Sequence, residues 1–393
     1  MKKLRILHLV NDWVFTDGPL SLFRGMPIIN KFVILKSCDN LELRQVKQSE
    51  YVSVVKIGTN EDKKLLEPGQ WDVVWVFGLN FQKANFVQSL NKSVLVVWSV
   101  YGIDYVDYSG QWLLGSRSTL LWLKTTALRA IVKIFALFVL SRLQIVRYLP
   151  RWECKFFRRV NYFSCVVPEE ECLVRHAVGF RRDVERVDFH YIPMEAENRQ
   201  YPVVDLAAKR IWVGNSATLT NNHLEMFDAI LKCDKGREFD VLVPLSYTTS
   251  GVGENAVTKA VTDSGKRCFG MRFKPIYEMM GRDEYIELMA SCSVFVFGHR
   301  RQQSAGNLQI ALRCGGCIFM DRHNPLYWHY KNRGIVIYDV AVLRHRKIQD
   351  VIRDFEKVRS VHMTAVQNAT SMTEEIKDIR NTVDFLSSKV VEK

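Results

Sequence analysis

No apolar run in the chain is long enough to cross a bilayer. A spanning helix needs roughly 18 to 20 largely uncharged residues, and the nearest candidate, residues 134–140, is bounded by Lys133 and Arg142. Neither G-x-G-x-x-G nor a Walker A pattern follows a strand-like run, which argues against nicotinamide oxidoreductases and P-loop NTPases. No secretory leader is expected, because Met1-Lys2-Lys3-Leu4-Arg5 passes straight into the strand-like residues 6–10. The nine cysteines are scattered and odd in number, so reduced thiols in the cytosol are the expectation. Only Cys314-Gly-Gly-Cys317 has metal or redox spacing, and no second pair completes a zinc site. Two small buried residues beside a tight turn are expected there. Acidic residues are also scarce, 42 against 55 Lys and Arg, leaving a net charge of +13. That surplus suits nucleic acid, anionic lipid or phosphate-bearing ligands, and charge alone does not choose among them.

What is present is a folded chain. Hydrophobic residues make up 48% and charged residues 25%, with 9 Trp and 22 Phe, which excludes a disordered protein. At 393 residues, two domains are expected. Strand-length apolar runs recur at residues 6–10, 32–35, 52–57, 73–77 and 94–98, separated by mixed polar segments. That alternation predicts an α/β domain with a parallel sheet covered on both faces. A second series follows the polar connection 195–205, at 211–213, 240–244, near 268–273, 294–297, 317–320 and 335–338, with helices at 222–232, 285–291 and 308–314. The expected fold class is therefore α/β, with two Rossmann-like doubly wound domains facing across a cleft. The expected boundaries are 1–200, 206–345 and a helical segment 346–393.

Between residues 119 and 159 nine bases stand against one acid, Glu153. Helical spacing puts Arg129 and Lys133 on one face, with Arg147 and Arg151 returning close to it and Lys155 beyond, although Pro150 interrupts the helix. One-signed charge with Trp122, Phe135, Phe138 and Trp152 nearby suits an interfacial helix on an anionic membrane. A domain helix with a solvated basic face gives the same pattern.

Two segments carry candidate chemistry. In residues 211–225 a strand ends at Gly214, Asn215 and Ser216 turn the chain, and Thr220 or Asn221 can cap a helix. Free backbone N–H groups there would seat a diphosphate, although Gly, Asn and Ser also serve turn geometry alone. In residues 299–308, Arg300 and Arg301 could neutralise phosphate, Gln302 and Gln303 could hydrogen-bond a sugar, and Gly306 would let a ligand approach the backbone. The bland reading is a solvated basic loop.

A resemblance then becomes specific. Gly214-Asn215-Ser216 with Asn221 and His223, Val243-Pro244 with Tyr247, Asp283 with Tyr285, Arg301-Gln302-Gln303 with Gly306 and Leu308, and Arg322 with Asn324-Pro325 resemble an ordered motif set. It is that of the 4-acetamido-4,6-dideoxygalactose transferases of enterobacterial common antigen synthesis, called 4-alpha-L-fucosyltransferases in family naming. The likeness runs from about Val94 to Tyr338. Tyr101-Gly102-Ile103-Asp104 resembles the family's Trp-Gly-x-Asp segment with Tyr for Trp, Ser304 replaces Gly, and Asn307 replaces Thr. The loop 11–18 lacks the paired histidines of the family.

The resemblance implies a two-Rossmann GT-B fold. It also implies transfer of a sugar from a nucleotide-sugar donor, with TDP favoured, to an undecaprenyl-diphosphate-linked oligosaccharide. The setting would be surface polysaccharide synthesis, of common antigen or O-antigen, with the protein peripheral at the cytoplasmic face of the inner membrane. No cofactor, metal or nucleic acid is expected. The carboxy-terminal half would bind the donor through Gly214, Asn215, Ser216, Asn221, His223, Tyr247, Arg301, Gln302, Gln303, Gly306, Asn307 and Asn324. His223 could cap its helix instead.

An acceptor base could be Asp104, Asp12 or Asp17, each following a predicted strand in the first half. Asp104 could equally cap a backbone turn. Two other readings stay open: a basic two-domain nucleic-acid-binding protein, and a nucleotide-sugar-modifying enzyme such as an epimerase. The latter lacks G-x-G-x-x-G and a Tyr-x-x-x-Lys in the expected place.

Overall fold

The computed structural model describes residues 3–13, 16–43, 45–105, 114–143, 145, 148–189, 199–246, 252–369 and 372–392. The chain divides into two compact units. The first is Met1–Ser109, Ala136–Met194 and Met372–Lys393; the second is Gly110–Phe135 and Glu195–Ser371.

The first unit is built on seven parallel strands: β1 (Arg5–Leu9), β2 (Ile29–Lys36), β3 (Val52–Lys56), β4 (Val73–Phe77), β5 (Leu95–Val100), β6 (Tyr162–Cys165) and β7 (Glu185–Arg186). Their order is β3-β2-β1-β4-β5-β6-β7. Every residue of β4 and β5 is buried, as continuous apolar runs require when helices cover both faces of a sheet. Strand order reverses between β1 and β4, where a doubly wound sheet opens a crevice at its carboxyl edge.

The second unit repeats the plan with six parallel strands: β8 (Arg210–Val213), β9 (Asp240–Pro244), β10 (Phe273–Ile276), β11 (Val294–Phe297), β12 (Cys317–Met320) and β13 (Tyr338–Asp339). The order is β10-β9-β8-β11-β12-β13, so its reversal lies between β8 and β11.

Several sequence-based expectations shift. The run near 268–273 becomes a strand only from Phe273, because the helix Val252–Phe269 carries on through Cys268. β6 and β7 are additional strands: β6 is a short apolar run broken by Ser164, and β7 is the charged pair Glu185–Arg186. Cys314 and Cys317 are buried on either side of Gly315, whose φ is +70°, and burial pushes the Cys314 thiol up to about 12. That pair is structural.

The unit boundaries also differ from the three-part expectation. Residues 114–118 are bound into the second unit: Asn222 Oδ1 accepts from Gly115 N–H at 2.8 Å, and Glu225 takes the Ser118 N–H and hydroxyl at 2.9 and 2.6 Å. At the other end, the helix Ile348–Ala369 packs Val351 and Phe355 into the second core. The next helix, Met372–Val391, lays Ile379, Val383 and Leu386 into the first core beside Phe23 and Trp75.

The basic segment resolves into three helices, Ser116–Thr125, Leu128–Arg142 and Trp152–Arg159, which corrects the single interrupted helix of the sequence reading. The last packs Phe156 and Phe157 on Trp98, both at 5.4 Å between ring centroids. Arg151 precedes that helix and pairs with Glu153, so it does not continue the Arg129 face, while Lys155 is exposed. Arg147 lies outside the described residues. The middle helix is of another kind: Leu128, Val132, Phe135 and Val139 are all exposed, Leu128 to 74%. Their i, i+4, i+7, i+11 spacing makes one stripe, and the exposed Arg129 and Lys133 flank it.

Candidate functional site

In the second unit, the loops after β8 and β11 meet at the point where strand order reverses. Gly214 ends β8 with φ +70°. A Cβ there would lie 2.7 Å from Asn221 Oδ1 and 2.9 Å from His223 Nε2, so both conformation and space require glycine. The Gly214 N–H donates to Val296 O at 2.9 Å, tying the turn to β11.

Asn221 builds the loop from inside. It is fully buried; its Oδ1 accepts from Asn215 N–H at 3.0 Å and its Nδ2 donates to Ser216 O at 2.9 Å and Thr218 Oγ1 at 2.9 Å. Asn222 supports it with a left-handed φ of 53°, donating from Nδ2 to Gly298 O at 2.7 Å.

Gln303, on the β11 loop, is the cross-tie. Its Nε2 donates to Asn215 Oδ1 at 3.0 Å and Thr218 Oγ1 at 3.2 Å, and its Oε1 accepts from Thr220 at 2.7 Å. His299 joins the same acceptor, Nε2 to Asn215 Oδ1 at 3.2 Å, and its carbonyl accepts from Asn324 Nδ2 at 3.2 Å. Asn324 also caps the helix Pro325–Lys331. Burial pushes the imidazoles of His223 and His299 down to about 3, so both are neutral near pH 7.

The helix Ala305–Arg313 begins beside these loops. Its N-cap, Ser304, has φ +65° and makes no capping hydrogen bond, which leaves first-turn N–H groups for an anionic ligand. A Cβ on Gly306 would meet nothing within 4 Å, so the space over that turn is open. Asn307 Nδ2 donates to the Tyr285 hydroxyl at 2.7 Å. The paired arginines have different partners. Arg300 binds Asp321 at 3.0 Å and Leu114 O at 3.2 Å. Arg301, 9% exposed, donates from Nη1 to Gln302 O at 3.1 Å.

The donor-half residues expected from the sequence thus fall into two groups. Gly214, Asn215, Ser216, Arg301, Gln302, Gln303, Gly306 and Asn307 lie on the two loops and the helix start that flank the reversal. Asn221, His223 and Asn324 are buried, as is Ser216; Asn221 and Asn324 hydrogen-bond the two loops from inside, and the His223 ring lies against Gly214. Tyr247 lies outside the described residues. His299 is a site residue that the sequence reading does not single out; its place two residues past the buried strand β11 is the signal that could have found it.

The three candidate carboxylates of the first unit, Asp12, Asp17 and Asp104, are each engaged with backbone. Asp12 Oδ1 accepts from Gln45 and Val46 N–H at 2.9 and 3.2 Å. Asp17 takes Lys47 and Gln48 N–H at 3.2 and 3.0 Å. Together they clasp the segment 45–48. Asp104 accepts from Leu79 N–H at 3.0 Å and Tyr101 N–H at 2.9 Å, which is the turn-capping geometry. Burial nevertheless lifts its carboxyl to about 6, against the opposing pull of those N–H groups and of the Lys83 ammonium.

Comparison with known proteins now adds to this geometry. Residues 181–373 match the family model described as 4-alpha-L-fucosyltransferase glycosyl transferase group 56. That stretch of the chain is similar to glycosyl transferase group 56. The protein is a glycosyltransferase, and the matched residues include both loops of the second unit.

Solved structures support the GT-B fold. Sucrose-phosphate synthase from Thermosynechococcus elongatus is similar at a TM-score of 0.64 with 10% identity, covering 98% of this chain and 100% of that one. An alpha,alpha-trehalose 6-phosphate synthase from Burkholderia multivorans gives 0.60 and 10%, covering 100% and 99%. An alpha-glucosyltransferase in complex with UDP and a 13-mer DNA gives 0.56 and 11%, covering 98% and 100%. The chain shares its architecture with these enzymes; at such identities the likeness speaks for the fold.

Proposed function

We propose that the second unit binds a nucleoside diphosphate sugar, TDP-linked by preference, and that the first unit presents the acceptor, an undecaprenyl-diphosphate-linked oligosaccharide. The observation that carries this reading is the junction of the 214–222 and 298–304 loops at the strand-order reversal of the second sheet, with the uncapped helix start at Ala305 beside it. Backbone N–H groups and Arg301 there supply fixed positive charge to a diphosphate, and that attraction strengthens as the leaving group gains charge. The alpha-glucosyltransferase of similar fold was solved with UDP, a nucleoside diphosphate of the class proposed here.

Asp104 is the favoured base. Burial lifts its carboxyl toward neutral pH, to about 6, where a general base works best. In the transfer its carboxylate takes the proton of the acceptor hydroxyl. The acceptor oxygen bonds to the anomeric carbon, and the bond from that carbon to the diphosphate oxygen breaks, its electron pair leaving with the nucleoside diphosphate.

A polyprenyl acceptor stays in the bilayer, and the helix Leu128–Arg142 suits docking there. Its exposed apolar stripe with Arg129 and Lys133 alongside is what an interfacial helix presents to anionic lipid. The enzyme would then work at the cytoplasmic face of a bacterial inner membrane, in the synthesis of a surface polysaccharide such as enterobacterial common antigen or O-antigen.

Calorimetric titration with TDP, UDP and GDP tests the donor site. Saturable binding of one nucleotide is expected, weakened roughly 10- to 100-fold in Arg301→Ala, as loss of one charge-assisted hydrogen bond implies. Absence of binding by all three would overturn the reading and favour a nucleic-acid ligand.

A further inference from the structure

Lys83 is the most deeply buried cation among the described residues, 1% exposed on the helix Phe81–Ser89. A lysine is almost never fully buried unless it is paired. Here the ammonium donates to Phe77 O at 2.6 Å and Gly78 O at 3.2 Å, the last residue of β4 and the first beyond it. The next residue, Leu79, gives its N–H to Asp104, and Asn80 binds Asn11 Oδ1 from Nδ2 at 3.2 Å. Asn11 in turn donates to Phe77 O at 3.2 Å.

The four residues 77–80 are therefore held by groups from β1, the helix and the β5 turn, at the strand-order reversal of the first sheet. Neutral side chains could satisfy two carbonyls more cheaply than a buried charge. What a cation adds is an effect on the carboxylate at the other end of the same turn.

We propose that Lys83 is a positioning residue: it fixes the turn after β4 and, through the field of its ammonium, sets the protonation of Asp104. The inference rests on Asp104 being the base that receives the acceptor proton. The ionisable groups facing the pair are few. Tyr101 is beside Asp104 on the same turn, and its phenol is pushed up by burial and by Asp104; Asn11 and Asn80 are neutral. Burial lowers Lys83 to about 7 while Asp104 raises it, and the carboxyl lies near 6. Each charge acts on the other's protonation, so removing either moves the other.

Carbon-13 NMR of aspartate carboxyls, with Asp104 assigned through Asp104→Asn, tests this on the full chain. Lys83→Met should move the Asp104 midpoint up by about one pH unit. The acid limb of nucleoside diphosphate release should move with it, assayed from the sugar nucleotide that binds best with bacterial membrane lipid extract as acceptor, while KM for the donor stays the same. An unmoved Asp104 midpoint in a folded Lys83→Met variant overturns the role of Lys83 alone. Full turnover in Asp104→Asn overturns the base assignment, and the inference with it. Should Lys83→Met fail to fold, the reciprocal measurement decides: the Lys83 midpoint must fall in Asp104→Asn, and an unchanged one refutes the coupling.

Discussion

Gln303 Nε2 donates to Asn215 Oδ1 at 3.0 Å, joining the loop after β11 to the loop after β8. The bond crosses the strand-order reversal, where the two loops diverge from adjacent strands. It is reinforced by His299 on the same Asn215 oxygen and by Asn222 on Gly298 O.

Gln303→Ala removes that bond and those to Thr218 and Thr220. Each buried hydrogen bond contributes about 1 kcal/mol, and partners left unsatisfied cost about 1 to 3 kcal/mol. Nucleotide affinity is expected to fall about 10-fold or more in calorimetry while the thermal midpoint falls only a few degrees. Unchanged affinity would mean that the cross-tie does not order the site.

Acid should destabilise the protein well before its carboxylates are neutralised. His8, His223 and His299 are held near 3 by burial and His362 near 4, whereas each titrates near 6.5 once unfolded. As pH falls below 6.5 the unfolded chain binds protons that the folded chain refuses, so stability falls. Asp104 opposes this between about 6 and 3.8, since its folded carboxyl is protonated first. The net, about three protons near pH 5, corresponds to a slope on the order of 4 kcal/mol per pH unit. The thermal midpoint should be clearly lower at pH 5 than at pH 7.5, and an equal or higher midpoint would show that these imidazoles are not buried neutral.

The apolar stripe on the helix Leu128–Arg142 gives membrane docking two separable components. Arg129→Glu with Lys133→Glu should weaken sedimentation with anionic vesicles chiefly at low salt, by about 1 kcal/mol per base removed. Val132→Ser with Phe135→Ser should weaken it at every salt concentration, because burial of apolar side chains is not screened. Wild-type protein that ignores anionic vesicles would remove the membrane from the account.

Most of this architecture was legible because each central strand is an unbroken apolar run between polar segments: β4, β9, β11 and β12 fall where the pattern put them. β7 escaped because the charged pair Glu185–Arg186 gains its place from pairing with β6 and not from its own composition; β6, with Tyr162 and Phe163 before Ser164, carried an apolar signal that its short length obscured. The donor loops could be found from Gly214 and from Arg301 to Gly306. Their division of labour could not, because whether Asn221 faces a ligand or braces a turn depends on partners several residues away. Lys83 gave no signal at all, since a lysine in a helix reads as solvated until the fold encloses it.

The helix Met372–Val391 closes the core that Phe23 and Trp75 begin, and Thr382 donates to Asp188 O at 2.7 Å. During synthesis the first unit therefore emerges long before its last piece. The second unit has all its strands while the ribosome is still adding residues that the first one lacks. A nascent chain halted before residue 372 would carry an uncovered apolar face on its oldest part, open to chaperones and proteases. Completion of the first core is thereby coupled to synthesis of residues 372–391.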